Sequence, residues 1–103
     1  KEERINCYFV DQTNLKTFKT LEKKIGCDFD LMIDDGLHAP NANLNSLKFF
    51  ITKLKIGGFA VIEDIHIDSS EIWQLASSIL PSNYCSALVK KQVFCTFIVK
   101  RIR

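Results

Sequence analysis

Two acidic pairs each close a short apolar run: Asp34-Asp35 follows Phe29 to Ile33, and Glu63-Asp64 follows Phe59 to Ile62. A third polar doublet, Asp11-Gln12, closes Ile5 to Val10. His38 lies three residues beyond Asp35, and His66 lies two beyond Asp64. The five carboxylates of these segments would repel one another if brought to one place. A hard divalent cation relieves that repulsion and prefers oxygen ligands. Mg2+ fits the pattern, since it accepts a few carboxylates together with water and substrate oxygens. A neutral imidazole is the side chain best poised to take a proton near neutral pH, so His38 beside such an ion reads as a general base. Any one of these acids could instead cap the following helix or face water. The recurrence at three segment ends is what argues for a cation and proton-transfer site. His66 reads as surface, with a base or a supporting role as the alternatives.

Three strand ends can share one edge only if the strands run parallel, and the elements between them are consistent with that. Ile5 to Val10 is rich in residues that suit a pleated surface and reads as a strand. Asn14 is a natural N-cap for a helix carrying Leu15, Phe18, Leu21 and Ile25, and Gly26 is its stop. Phe29 to Ile33 fits a strand buried on both faces. A loop over Gly36 to Asn41, with Pro40 in it, leads to a helical stripe of Leu44, Leu47, Ile51 and Leu54. Gly57-Gly58 turns the chain into a third strand, Phe59 to Ile62. Ser69 or Ser70 can cap a helix carrying Ile72, Leu75, Ala76 and Ile79, which Pro81 stops. Ser86 to Val89 and Val93 to Val99 follow, too close together for a crossover helix, and so form an antiparallel hairpin. The order β-α-β-α-β-α-β-β predicts an α/β fold: a partial doubly wound, mostly parallel sheet with helices on both faces and a C-terminal antiparallel hairpin. In such sheets ligands bind beyond the carboxyl ends of the strands, where the acids stand.

The bulk properties narrow the function classes. The chain has 103 residues, enough for one modest core, and 47% of them are apolar, as in a globular domain. A formal charge of +2 gives no nucleic-acid footprint, and Lys23-Lys24 and Lys90-Lys91 read as solvated surface. No apolar run is long enough to span a membrane, and no secretory leader is visible. Cys7, Cys27, Cys85 and Cys95 have no metal-finger spacing and read as reduced, mostly buried thiols of a cytoplasmic protein. No glycine-rich dinucleotide fingerprint occurs.

Two stretches carry a family resemblance. Phe29-Asp30-Leu31-Met32-Ile33-Asp34-Asp35-Gly36-Leu37-His38 resembles the "FDxxIDDGSH" segment of class I S-adenosylmethionine-dependent methyltransferases. Lys55-Ile56-Gly57-Gly58-Phe59-Ala60-Val61-Ile62-Glu63-Asp64 resembles their "KPGGxYVIED" segment, and Val10-Asp11-Gln12 resembles a "GDQ" strand end. The branch most similar is the metal-dependent O-methyltransferases that act on macrolide sugars. Leu37 and Ile56 depart from the pattern, at the positions of its usual Ser and Pro. The resemblance spans roughly residues 4 to 66. It implies a Rossmann-like fold with S-adenosylmethionine and Mg2+, or a similar divalent cation, as cofactors. It implies Asp35, Glu63 and Asp64 as metal ligands and His38 as the base that deprotonates a hydroxyl, a sugar hydroxyl in that branch. Asp11 with Gln12 would read the adenine, and Asp34 would lie near the methionine end.

In that family two further strands precede the one at Ile5 to Val10. They carry the glycine-rich cofactor loop and the acid that holds the ribose. The resemblance therefore implies that residues 1–103 are the C-terminal part of a methyltransferase domain, incomplete and inactive alone. Two sheet edges would then be exposed, closed either by movement of the first strand or by homodimerisation through the edge. The small-molecule acceptor is implied only by analogy. A reading of another class is a non-catalytic α/β binding or regulatory module with a Mg2+-binding acidic edge. A receiver-like domain of that kind would need a lysine at a later strand end, where Glu63-Asp64 stands instead.

Overall fold

A computed structural model describes residues 3–103. Helix α1 (Leu15–Ile25) begins where the side chain of Asn14 accepts a hydrogen bond from Lys16 N, and it ends at Gly26, φ 72°. Strand β1 (Phe29–Asp34) leads into α2 (Pro40–Ile51). Pro40 occupies the first turn of α2, where its missing N–H costs nothing. Strand β2 (Leu54–His66), a 3-10 turn (Ile67–Ser69) and α3 (Ser70–Ile79) come next. The chain closes with the hairpin β3 (Tyr84–Lys91) and β4 (Phe94–Arg101), turned by Gln92 and Val93. Among the described residues there is one four-stranded sheet, in the order β1-β2-β4-β3. The β1–β2 pair is parallel, and β2–β4 and β4–β3 are antiparallel.

Several expectations are corrected. The segment Ile5 to Val10 is not a strand: it runs outside the sheet and is largely exposed. In this structure the segment does not pair with the β1 edge. Its β-prone composition describes a surface that could pair, and pairing also needs an aligned neighbour. The sheet is mixed and not mostly parallel. Leu54, read as the end of a helical stripe, opens β2, and α2 starts inside the expected loop. β2 runs past Glu63-Asp64 to His66, so these acids lie within a strand and not beyond its end. Three of the four cysteines are exposed, and only Cys95 is buried. Cys7 lies in the extended segment, Cys27 precedes β1, and Cys85 faces outward from β3.

The core lies on one face of the sheet. Register pairs Ala60 with Val99 and Ile62 with Phe97, and these buried side chains meet Leu47 of α2 and Trp73 and Ala76 of α3. Trp73 is fully buried against Phe97, with ring centroids 5.0 Å apart. Burying an aliphatic side chain such as Ile62 or Leu47 contributes roughly 1.5–3 kcal/mol. α1 stacks on α2 through Phe18 and Phe49, centroids 5.2 Å apart. The opposite face carries Leu31, Ile33 and Phe59, at 53%, 51% and 39% exposure, so helices do not cover both faces. The strand order explains this. From β1 the chain steps to β2 and then beyond it to β3, always in one direction. Right-handed crossovers made in one direction put their helices on the same side, and only a reversal of direction would place a helix on the other.

Gly58 fixes how β1 and β2 approach. A Cβ there would come within 2.5 Å of Phe29 O. The register slips beside it, pairing Phe29 with Leu54 but Leu31 with Phe59. A residue with a side chain at this position would push the two strands apart.

Candidate metal and proton-transfer site

The carboxyl ends of β1 and β2 lie side by side, since Asp34 pairs with Ile62. Just beyond that pair, Asp35, His38 and Asp64 converge, each offering a ligand atom within 4.8 Å of the others. His38 Nε2 is 3.9 Å from Asp35 Oδ1 and 3.8 Å from Asp64 Oδ2. All three side chains are exposed. Asp35 and His38 come from the loop between β1 and α2. Asp64 comes from a bulge in β2: between the pairs Ile62–Phe97 and Ile65–Cys95, only Thr96 stands opposite Glu63 and Asp64. Asp64 adopts φ 55°, a left-handed conformation that aspartate tolerates better than most residues. A bulge of this kind re-aims a side chain out of strict alternation.

The donor set fits a divalent cation in its chemistry. It has two carboxylates and one imidazole, closely spaced and open to solvent on the remaining side. The oxygen donors suit Mg2+ or Mn2+, and the imidazole nitrogen facing them can serve as a ligand or as a proton acceptor but not as both at once.

The remaining residues expected at the site take other places. Among the described residues, the converging set does not include Glu63, which is half-buried on β2. Asp34 is buried at 4% exposure. Its Oδ2 accepts from Asn43 Nδ2 at 2.8 Å and its Oδ1 from Gly36 N at 3.1 Å. Gln12 accepts from Leu37 N through Oε1 at 2.7 Å and donates to Ser46 Oγ through Nε2 at 2.8 Å. Asp11 is exposed and folds back on Thr13, accepting from its hydroxyl at 2.7 Å and its N–H at 3.0 Å. Those two bonds, the hydroxyl's first, hold the Asp11 carboxyl below its ordinary range. His66 lies apart: its Nδ1 accepts from Asp68 N at 3.2 Å, capping the 3-10 turn, and its ring meets Phe94 edge-on.

A cavity of about 430 Å³ adjoins Asp35, with Gln12, Asp34, Gly36 and Ser46 on its polar side and Phe49 and Phe50 on its apolar side. That volume lies within the usual range for small-molecule sites.

Asn43 and Ser46 were not singled out from the sequence. Both are buried, at 2% and 3% exposure, on the inner side of α2. A signal did exist: they stand at i and i+3 between Ala42 and Leu47, polar residues within a buried face, and such residues need partners.

No family model and no curated protein matches the sequence. Solved structures do match. The MycE methyltransferase of the mycinamycin biosynthetic pathway, in complex with Mg and S-adenosylhomocysteine, superposes with a TM-score of 0.71 over 100% of this chain and 34% of its own, at 21% identity. The fold is methyltransferase-like. An rRNA methylase from Streptococcus thermophilus gives a TM-score of 0.64 at 13% identity, over 84% of this chain and 54% of its own. A protein from Streptococcus mutans described as a methyltransferase, in complex with S-adenosylhomocysteine, gives 0.61 at 13% identity, over 82% of this chain and 57% of its own. The methyltransferase-like chain thus spans between a third and three-fifths of the structures it resembles. Among the described residues no helix is long and apolar enough to cross a membrane.

Proposed function

We propose that this chain carries the cation-binding and proton-accepting part of an S-adenosylmethionine-dependent O-methyltransferase. The observation that supports it is the convergence of Asp35, His38 and Asp64 at the carboxyl ends of β1 and β2, in a fold shared with methyltransferases. Asp35 and Asp64 would hold the cation, with Glu63 joining them if its side chain turns toward the pair. A bound divalent cation would hold and polarise an acceptor hydroxyl. His38 Nε2 lies within 4 Å of both carboxylates, so a hydroxyl between them has a proton acceptor beside it. S-adenosylmethionine would supply the methyl group from its sulfonium. The cavity beside Asp35 is the place for part of that cofactor, with Gln12 and Asp34 at its polar side; Asp11, the other residue expected to read the adenine, is engaged by Thr13 and is not among the lining residues. The acceptor is a small hydroxyl compound, and a sugar is the class that the sequence resemblance favours. A homodimer through the open β1 edge belongs to the same proposal.

Titration with Mn2+, followed by its paramagnetic signal, tests the cation site. Asp35→Ala weakens uptake at least tenfold, whereas Asp30→Ala leaves it unchanged, since Asp30 pairs with Lys55 away from the cluster. Equal binding by the two variants would sink the assignment. Calorimetry with S-adenosylmethionine gives weak or undetectable heat for this chain alone.

A second reading keeps the cation and drops the methyl transfer, making the chain a binding module. It draws on the internal partners that already engage Gln12 and Asp34. Mn2+ affinity that stays the same with and without S-adenosylmethionine, in a chain joined to a cofactor-binding half, would favour it.

A further inference from the structure

The two site residues of the β1–α2 loop flank Gly36 and Leu37, and that loop is exposed. An exposed loop does not by itself keep Asp35 and His38 at a fixed separation. The backbone of Leu37 is nevertheless held on both sides of its Cα. Its N–H donates to Gln12 Oε1 at 2.7 Å, and its carbonyl accepts from Asn43 Nδ2 at 3.3 Å and from Ala39 N at 3.0 Å. Gln12 is itself fixed at two further points. Its Nε2 donates to the buried Ser46 hydroxyl at 2.8 Å, and its backbone carbonyl accepts from Asn45 Nδ2 at 2.8 Å. Gly36 leaves the space for this approach, since a Cβ there would collide with Gln12 Oε1.

We propose that Gln12 is a positioning residue, a clamp that fixes the Leu37 peptide and thereby the spacing of Asp35 and His38. Both ends of its amide are engaged inside the protein, so holding the loop is a part it plays in addition to lining the cavity. The amide group suits the task because it accepts from Leu37 and donates to Ser46 at once. The consequence for cation binding rests on the function proposed above, but the clamp itself does not.

The test compares Gln12→Leu, Gln12→Glu and Ser46→Ala by amide hydrogen exchange at Leu37, with Ile98 in the centre of the sheet as control. Gln12→Leu keeps the bulk and loses both bonds, and Leu37 exchange rises at least tenfold while Ile98 is unmoved. Gln12→Glu restores protection to within threefold, because a carboxylate still accepts from Leu37 N and from the Ser46 hydroxyl. Ser46→Ala, which frees the far end of Gln12, gives an intermediate rate and serves if the leucine variant fails to fold. Mn2+ affinity falls at least fivefold in Gln12→Leu. Unchanged Leu37 exchange in both Gln12→Leu and Ser46→Ala overturns the clamp, as does a rise that Ile98 shares equally. If wild-type protein takes up no Mn2+ while Leu37 responds as described, the clamp stands and the metal assignment falls.

Discussion

The two acidic pairs look alike in sequence and are used differently in the fold. In Asp34-Asp35 the first acid is buried and bonded to Asn43 and Gly36, while the second is exposed at the site. In Glu63-Asp64 the first is half-buried on β2, and the second reaches the site only because the strand bulges and Asp64 turns left-handed. Successive side chains on a strand point to opposite faces, so adjacent acids are not aimed at one point by default. Each pair therefore delivers one residue to the site. One is separated from its neighbour by the end of a strand, the other by a defect within a strand.

That comparison can be broken by experiment. The largest effect is expected at Asp34. Asp34→Ala removes the buried acceptor of Asn43 Nδ2 and Gly36 N and leaves Asn43 Nδ2 only its longer bond to Leu37 O, which costs about 2–4 kcal/mol by denaturant unfolding. A neutral result would mean that the buried acid is not structural and that the first pair is not divided at all. A smaller change of opposite sign is expected at Asp64. Asp64→Gly relieves the left-handed backbone and raises stability by up to about 1 kcal/mol while Mn2+ uptake is lost. A loss of stability would show the bulge to be held by the Asp64 side chain rather than strained by it. The smallest effect is expected at Glu63, where Glu63→Gln leaves Mn2+ affinity within twofold. A tenfold loss there would restore Glu63 to the ligand set and put both members of the second pair at the site.

Much of the architecture was legible where local chemistry decides it. Asn14 and Gly26 bound α1 as their types suggest, the run at Phe29 forms β1, and Lys90 to Gln92 is too short for anything but a hairpin. The segment Ile5 to Val10 was misread because a strand is a relation between chains of backbone, and composition records only half of it. The placement of the helices on one face was hidden for a similar reason: apolar periodicity identifies a buried stripe but not the direction in which the chain crosses. Asp35, His38 and Asp64 were singled out by residue type, and the structure brings these three side chains together. The bulge that separates Asp64 from Glu63 was not legible, since nothing in the run from Ile62 to Ile65 marks an extra residue. The Gln12–Ser46 and Asp34–Asn43 bonds join residues 34 and 9 positions apart, and partners so chosen by the fold have no local signature.

The chain has a single tryptophan, Trp73, fully enclosed by the core, and its indole N–H is without a hydrogen-bond partner among the described residues. It is a built-in optical reporter. Its emission belongs to a dry, apolar setting and shifts toward longer wavelength only when the core opens. It is not among the residues of the acidic cluster. Melting curves read at this one fluorophore, with and without Mn2+, convert ion binding into a displacement of the midpoint, because a ligand taken up only by the folded state raises it. The same light signal then compares Asp35→Ala, Asp64→Gly and Glu63→Gln without a label.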